Sequence, residues 1–103
     1  MRMKKSEFWG EVENGLGSAG RIRILRILTE HPNRQYTKYA LKRKTGLSAK
    51  ELQRQIQMLV EIGWVKEYPH EPKTYRANLK RIPVKVVAEF FRRLKTENFK
   101  PPA

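Results

Sequence analysis

Cysteine is absent from this chain, which excludes a disulfide framework, a thiolate metal site and a cysteine nucleophile. Aspartate is absent too: all ten acids are glutamate, and the only two histidines, His31 and His70, stand far apart. Little remains from which to build a general acid–base pair or a metal cluster, and no glycine-rich phosphate loop is present. Glu30 beside His31 is too little to build on, so neither an enzyme nor a metal or other cofactor is expected. His31 ends a helical pattern and reads as a cation near the negative end of the dipole. No apolar run approaches the length of a membrane span, and the N-terminus lacks the apolar core of a secretion signal. The expectation is a soluble protein, cytoplasmic or nucleoid-associated, with no membrane partner. Internal repeats and low-complexity tracts are also missing.

What is abundant is positive charge. Twenty-three Lys and Arg against 10 acids give a net +13 over 103 residues. Such an excess repels itself unless a polyanion is the partner, with nucleic acid the first candidate and an anionic membrane surface the second. With 39% hydrophobic residues the chain can fold as one small domain. A chain this short buries a limited share of its surface, so a core shared with a second copy would help.

The chain is organised around residues 46–65. Ser48 followed by Glu51 reads as a capping box, with the hydroxyl and the carboxylate each satisfying the other's backbone amide. Leu52, Ile56, Leu59 and Val60 fall on one face of a helix over 48–62, and Gly63 is placed to stop it. The opposite face carries Ala49, Lys50, Gln53, Arg54 and Gln57, with no acid among them. Arg and Lys can donate to guanine O6/N7, and Gln can pair with adenine N6/N7. On an isolated helix such a face is ordinarily just solvated, so the flanking sequence has to decide.

Before it, residues 34–45 form a short basic helix capped by Thr37, with Tyr39, Ala40 and Leu41 as apolar anchors. Seven basic residues between Arg34 and Arg54 face Glu51 alone. A short basic helix, a Gly46-Leu47 turn and a longer capped helix make a helix-turn-helix. After it, 64–68 and 73–77 have strand composition around the stiff Pro69-His70-Glu71-Pro72 turn, a hairpin whose packing side is Trp64, Val65 and Tyr75. Upstream, Ser18 caps a helix to about His31 whose stripe is Ile22, Leu25 and Leu28, widened by Ile24 and Ile27, with Arg21, Arg23 and Arg26 wet. A shorter helix follows Ser6, carries Phe8, Trp9 and Val12, and is broken at Asn14-Gly15-Leu16-Gly17. Downstream, Pro83 opens a helix with Val84, Val87, Phe91 and Leu94 in a stripe and Phe90 beside it. A frayed tail closes the chain.

Gly46-Leu47-Ser48, the apolar Leu52, Arg54, Ile56 and Leu59, and Gly63-x-Val65 together resemble the recognition segment of winged helix-turn-helix domains of ArsR-like, and secondly MarR-like, regulators. Leu16 to Leu25 resembles the opening helix of the ArsR-like group, and 64–77 matches the wing. The resemblance covers about 16–82. It implies a mainly α fold with a small β-hairpin and extra helices at both ends, and a homodimer built from those terminal helices. It divides the chain into a basic tip and short helix (1–15), the winged domain (16–82), a dimerisation helix (83–97) and a tail (98–103). Metal-sensing members use Cys and His clusters that this sequence does not have.

The function expected is sequence-preferring binding of double-stranded DNA by a transcription regulator. Ala49, Lys50, Gln53, Arg54 and Gln57 would face base edges. Thr37, Lys38 and Ser48 would meet phosphate at helix N-termini, and His70, Lys73 and Arg76 would follow the backbone from the wing. Phe8, Trp9, Val12, Val84, Val87, Phe91 and Leu94 would make the dimer interface. The rivals are an architectural, DNA-coating protein of the same fold, and an adaptor for protein or RNA.

Overall fold

The computed structural model describes the backbone of residues 5–98 and the side chains of residues 9–96. The basic tip at Arg2 and Lys4, the side chain of Phe8 and the tail beyond Asn98 lie outside the described residues.

The fold is mainly α-helical with a small antiparallel sheet. In order it runs α1 (Lys5–Leu16), α2 (Ala19–Glu30), β1 (Tyr36–Thr37), α3 (Lys38–Thr45), α4 (Ala49–Glu61), β2 (Val65–Tyr68), β3 (Thr74–Ala77) and α5 (Ile82–Asn98). Each central helix begins where a hydroxyl replaces a missing backbone acceptor. Ser18 Oγ accepts from the Arg21 amide, Thr37 Oγ1 from Ala40 and Ser48 Oγ from Glu51, all at 3.1 Å. The last turns of α3 and α4 close on Gly46 and Gly63, at φ 75° and 81°, a backbone conformation that a side chain would resist.

Helix α2 is central, touching α1, α3, α4, α5 and β3. Ile24, Leu25 and Leu28 are buried on it, against Leu41 from α3, Leu52, Ile56 and Leu59 from α4, Trp64, Val65 and Tyr75 from the hairpin, and Val84 from α5. Burying each such side chain contributes about 1.5–3 kcal/mol, so this one cluster holds helix-turn-helix and wing in a fixed relation.

Four sequence expectations are corrected. The α2 stripe turns on Ile24 rather than Ile22, which is exposed, and Arg21 is drawn inward by a hydrogen bond to Gln55. Tyr39 is exposed rather than an anchor; Leu41 and Thr45 hold α3 down. Helix α1 does not break at Asn14-Gly15 but continues to Leu16, because Gly15 lets it lie directly on Trp64. The hairpin also gains a third strand, giving the order β1-β3-β2, in which Tyr36 pairs with Tyr75 and Thr37 with Thr74.

Candidate nucleic-acid interface

The short strand β1 ends at Thr37, which is also the cap of α3. Its pairing with β3 therefore fastens the N-terminus of α3 to the wing. Lys38, the first residue of that helix, places its ammonium on Gln53 Oε1 of α4 and 5.8 Å from the centre of the Tyr75 ring. One cation thus touches all three parts of the motif: helix α3, the outer face of α4, and the hairpin.

On α4 the leucine-bearing side is inward, and Ala49, Lys50, Gln53, Arg54 and Gln57 are all exposed. Arg54 reaches Glu51 at 3.5 Å, and Gln57 donates to Glu61 at 3.3 Å. Both are solvent-exposed contacts of the kind that contribute little to stability and are easily exchanged for a ligand. Ser48 accepts the Glu51 amide through its oxygen, which leaves its hydroxyl hydrogen able to donate outward.

The Glu51 carboxylate accepts from Gln55 at 2.7 Å and faces Arg54, so it is turned to these neighbours on α4, where the sequence led us to expect it on the Ser48 amide. Gln55 is the residue that sequence reasoning missed. It is 5% exposed, and its carbonyl accepts from Arg21 Nε at 2.7 Å and from Ser18 Oγ at 3.0 Å. The signal was there: position 55 lies three residues after Leu52 and beside Ile56, on the inward stripe. A glutamine there requires polar partners, and α2 supplies them from its first turn.

At the wing, Thr74 Oγ1 donates to Gln35 Oε1 at 2.6 Å and lies 3.3 Å from His70 Nε2. His70 stacks on Tyr68 with centroids 6.4 Å apart, and Lys73 projects freely into solvent. Arg76 stands further back, its guanidinium 5.5 Å over the Tyr68 ring, and the residue also borders a hollow at the wing root. Tyr75 donates to Glu67 Oε2 at 2.9 Å; burial, and then this neighbouring carboxylate, push its phenol well above the ordinary tyrosine value.

The expected interface residues divide into two sets. Val84 and Val87 are spent in the chain's own core and Phe91 is half-buried against it, while Leu94 and Trp9 are exposed and Val12 is half-buried. The apolar surface that α5 leaves uncovered is one register over: Ile82 (70% exposed), Val86 (62%), Phe90 (55%) and Leu94 (42%), at i, i+4, i+8, i+12. The stripe expected at an interface, Val84, Val87, Phe91 and Leu94, is instead mostly taken by the chain's own core, with Leu94 alone exposed. No group of three or more His, Cys, Asp or Glu residues that could hold a metal occurs among the described residues, and no described helix is long and apolar enough to cross a membrane.

No protein-family model and no curated protein matches this sequence. Solved structures do match. The transcriptional repressor BigR from Xylella fastidiosa superposes with a TM-score of 0.68 at 20% identity, over 97% of this chain and 100% of that one. The ArsR family transcriptional regulator RHA00566 gives 0.63 at 14% identity over the whole of both chains. The homodimeric winged helix-turn-helix DNA-binding domain of Mb0332 from Mycobacterium bovis, a possible ArsR-family regulator, gives 0.62 at 19% identity over 95% and 87%. The chain therefore has the winged helix-turn-helix fold of ArsR-type regulators. At these identities the likeness establishes the fold alone.

Proposed function

We propose that this protein binds double-stranded DNA with sequence preference, as a homodimer, and regulates transcription. Helix α4 enters the major groove N-terminal end first, presenting Ala49, Lys50, Gln53, Arg54 and Gln57 to base edges. Thr37, Lys38 and Ser48 lie at the two helix starts, where backbone amides and the positive dipole end favour phosphate. His70 and Lys73 follow the adjacent backbone from the wing tip.

The observation that carries this reading is the Lys38–Gln53 contact together with the β1–β3 pairing, which brings helix starts, outer α4 face and wing into one continuous surface, on which the α4 acids Glu51 and Glu61 are held by α4 neighbours. Dimerisation is supported by the Ile82–Val86–Phe90–Leu94 ridge, a row at fourth-residue spacing that can pack into the groove of a second helix. Two of the ArsR-type proteins above, one a homodimeric DNA-binding domain and one a repressor, agree with it.

The test is binding-site selection from random duplexes at two salt concentrations. A recovered motif with two symmetric half-sites is expected. No enrichment would favour the DNA-coating alternative, for which the net +13 is the supporting observation. With roughly six to ten phosphates neutralised per dimer, affinity should fall about 10³–10⁵-fold between about 50 and 200 mM salt in either case.

A further inference from the structure

Between the root of the wing, the turn after α2 and the start of α5 lies an open hollow of about 310 Å³ bordered by Lys66, Arg76, Lys80 and Lys85, with Asn33 and Leu79 among the other residues of its wall. No carboxylate lines it, and none of the four cations takes part in an ion pair among the described residues. Lys66 and Arg76 are directly opposite one another on β2 and β3, a like-charge cross-strand pair that disfavours the hairpin as it stands. Arg76 is nonetheless fixed in place over the Tyr68 ring.

The wall that brings Lys80 to this pair is rigid. Asn78 donates through its amide nitrogen to Gly63 O at 2.8 Å and through its backbone to Trp64 O at 2.9 Å, and accepts the Lys80 amide at 3.2 Å. None of the lining comes from α3, α4 or the 69–73 wing tip, so apart from Arg76 the hollow is separate from the DNA-facing surface described above. An open hollow bordered by four cations without an ion pair among the described residues, two of them half-buried, and braced on one side at Asn78, it is a place where anionic charge is favoured.

We propose that this hollow binds a small, free polyanion carrying two adjacent phosphoryl or carboxylate groups, one group held between Lys66 and Arg76 and the other between Lys80 and Lys85. A hollow of this size can seat a small ligand, and four cations around it favour one that carries more than one negative charge. Such a ligand would tie the hairpin to α5. The proposal does not depend on the DNA-binding reading.

The test is calorimetric titration of the full chain with inorganic pyrophosphate at fixed ionic strength. Three proteins are compared: the native chain, a Lys80→Gln/Lys85→Gln double variant, and a charge-matched Lys42→Gln/Lys44→Gln double variant on the exposed side of α3. All four lysines are exposed, so thermal unfolding should show both variants folded. One saturable site per chain is expected, weakened about tenfold or more by the 80/85 changes, as for loss of a charge-assisted hydrogen bond, and little changed by the 42/44 changes. Equal weakening by both variants, or no saturable binding, would overturn the site, because the anion would then be sensing net charge alone. If the 80/85 variant lost duplex DNA affinity while the native chain bound no pyrophosphate, the hollow would be a seat for backbone phosphate, and the free-anion proposal would be wrong.

Discussion

Gly15 of α1 lies against the indole of Trp64: a β-carbon at position 15 would fall 2.1 Å from its Cζ3. Trp64 sits where α4 turns into the wing, so the terminal helix docks at the junction between the two. Alanine at 15 should force the ring or the helix to move and cost about 1–3 kcal/mol, despite the gain in helix propensity. Gly10, on the same helix, has nothing within 4 Å of its would-be β-carbon. Gly10→Ala should therefore stabilise by up to about 1 kcal/mol. Urea unfolding followed by tryptophan fluorescence compares the two; equal effects would show that α1 does not use Gly15 as its seat.

Gln55 ties α4 to the first turn of α2 by accepting from both Arg21 and Ser18. Gln55→Ala would leave the half-buried Arg21 Nε and the Ser18 hydroxyl without this acceptor, at a cost of about 1–3 kcal/mol. Gln55→Met keeps the bulk but not the acceptor and should lose nearly as much. If Met restored stability, the role of position 55 would be packing rather than hydrogen bonding.

Arg54 and Lys73 are expected to differ in kind. Arg54→Ala should weaken the selected duplex by about 1–3 kcal/mol and relax preference at one base position, as for loss of a base-reading guanidinium. Lys73→Ala should weaken all sequences alike and lower the salt slope by about one. Competition binding against selected and scrambled duplexes distinguishes them. Uniform loss in the Arg54 variant would move that residue to the phosphate set.

Much of this architecture was legible before any coordinates. The three hydroxyl caps, the two glycine stops and the α4 stripe are local signals, each fixed by residues within a turn of one another, and the structure has them where the sequence put them. What could not be read depends on distant partners. Gly15 looked like a breaker because nothing nearby announces Trp64, and the two-residue strand at Tyr36–Thr37 has meaning only through its pairing with Tyr75 and Thr74. The outward face of α4 was legible because its inward face is unambiguous. The outward face of α5 was not, because both of its candidate faces are apolar.

Tyr75 gives the fold a limit at high pH. Burial and the Glu67 carboxylate raise its phenol above the ordinary value near 10, so the folded state holds that proton after the unfolded state has released it. Its contribution to stability is complete below about pH 10 and declines as pH rises toward the folded-state value. Tyr75→Phe removes the titration together with the hydrogen bond. It should be the weaker protein at pH 8 but lose less stability between about pH 9 and 11, measured by urea midpoints. Parallel losses in both proteins would assign the alkaline limit to other groups.

Phe90 is the most informative position for assembly, because it lies within the uncovered ridge of α5 while its neighbour Phe91 packs against the core. Phe90→Glu places a charge on the ridge without disturbing the inward face, so the monomer should keep its fold and its helical content. If Ile82, Val86, Phe90 and Leu94 meet a second copy, the mass measured by light scattering should drop to that of one 12.2 kDa chain. DNA affinity should then fall by far more than one lost contact would account for, since two half-sites would no longer be bound together. A dimer that survives Phe90→Glu would move the interface to α1, where Trp9 is the exposed apolar residue, and Trp9→Glu would be the next variant to weigh.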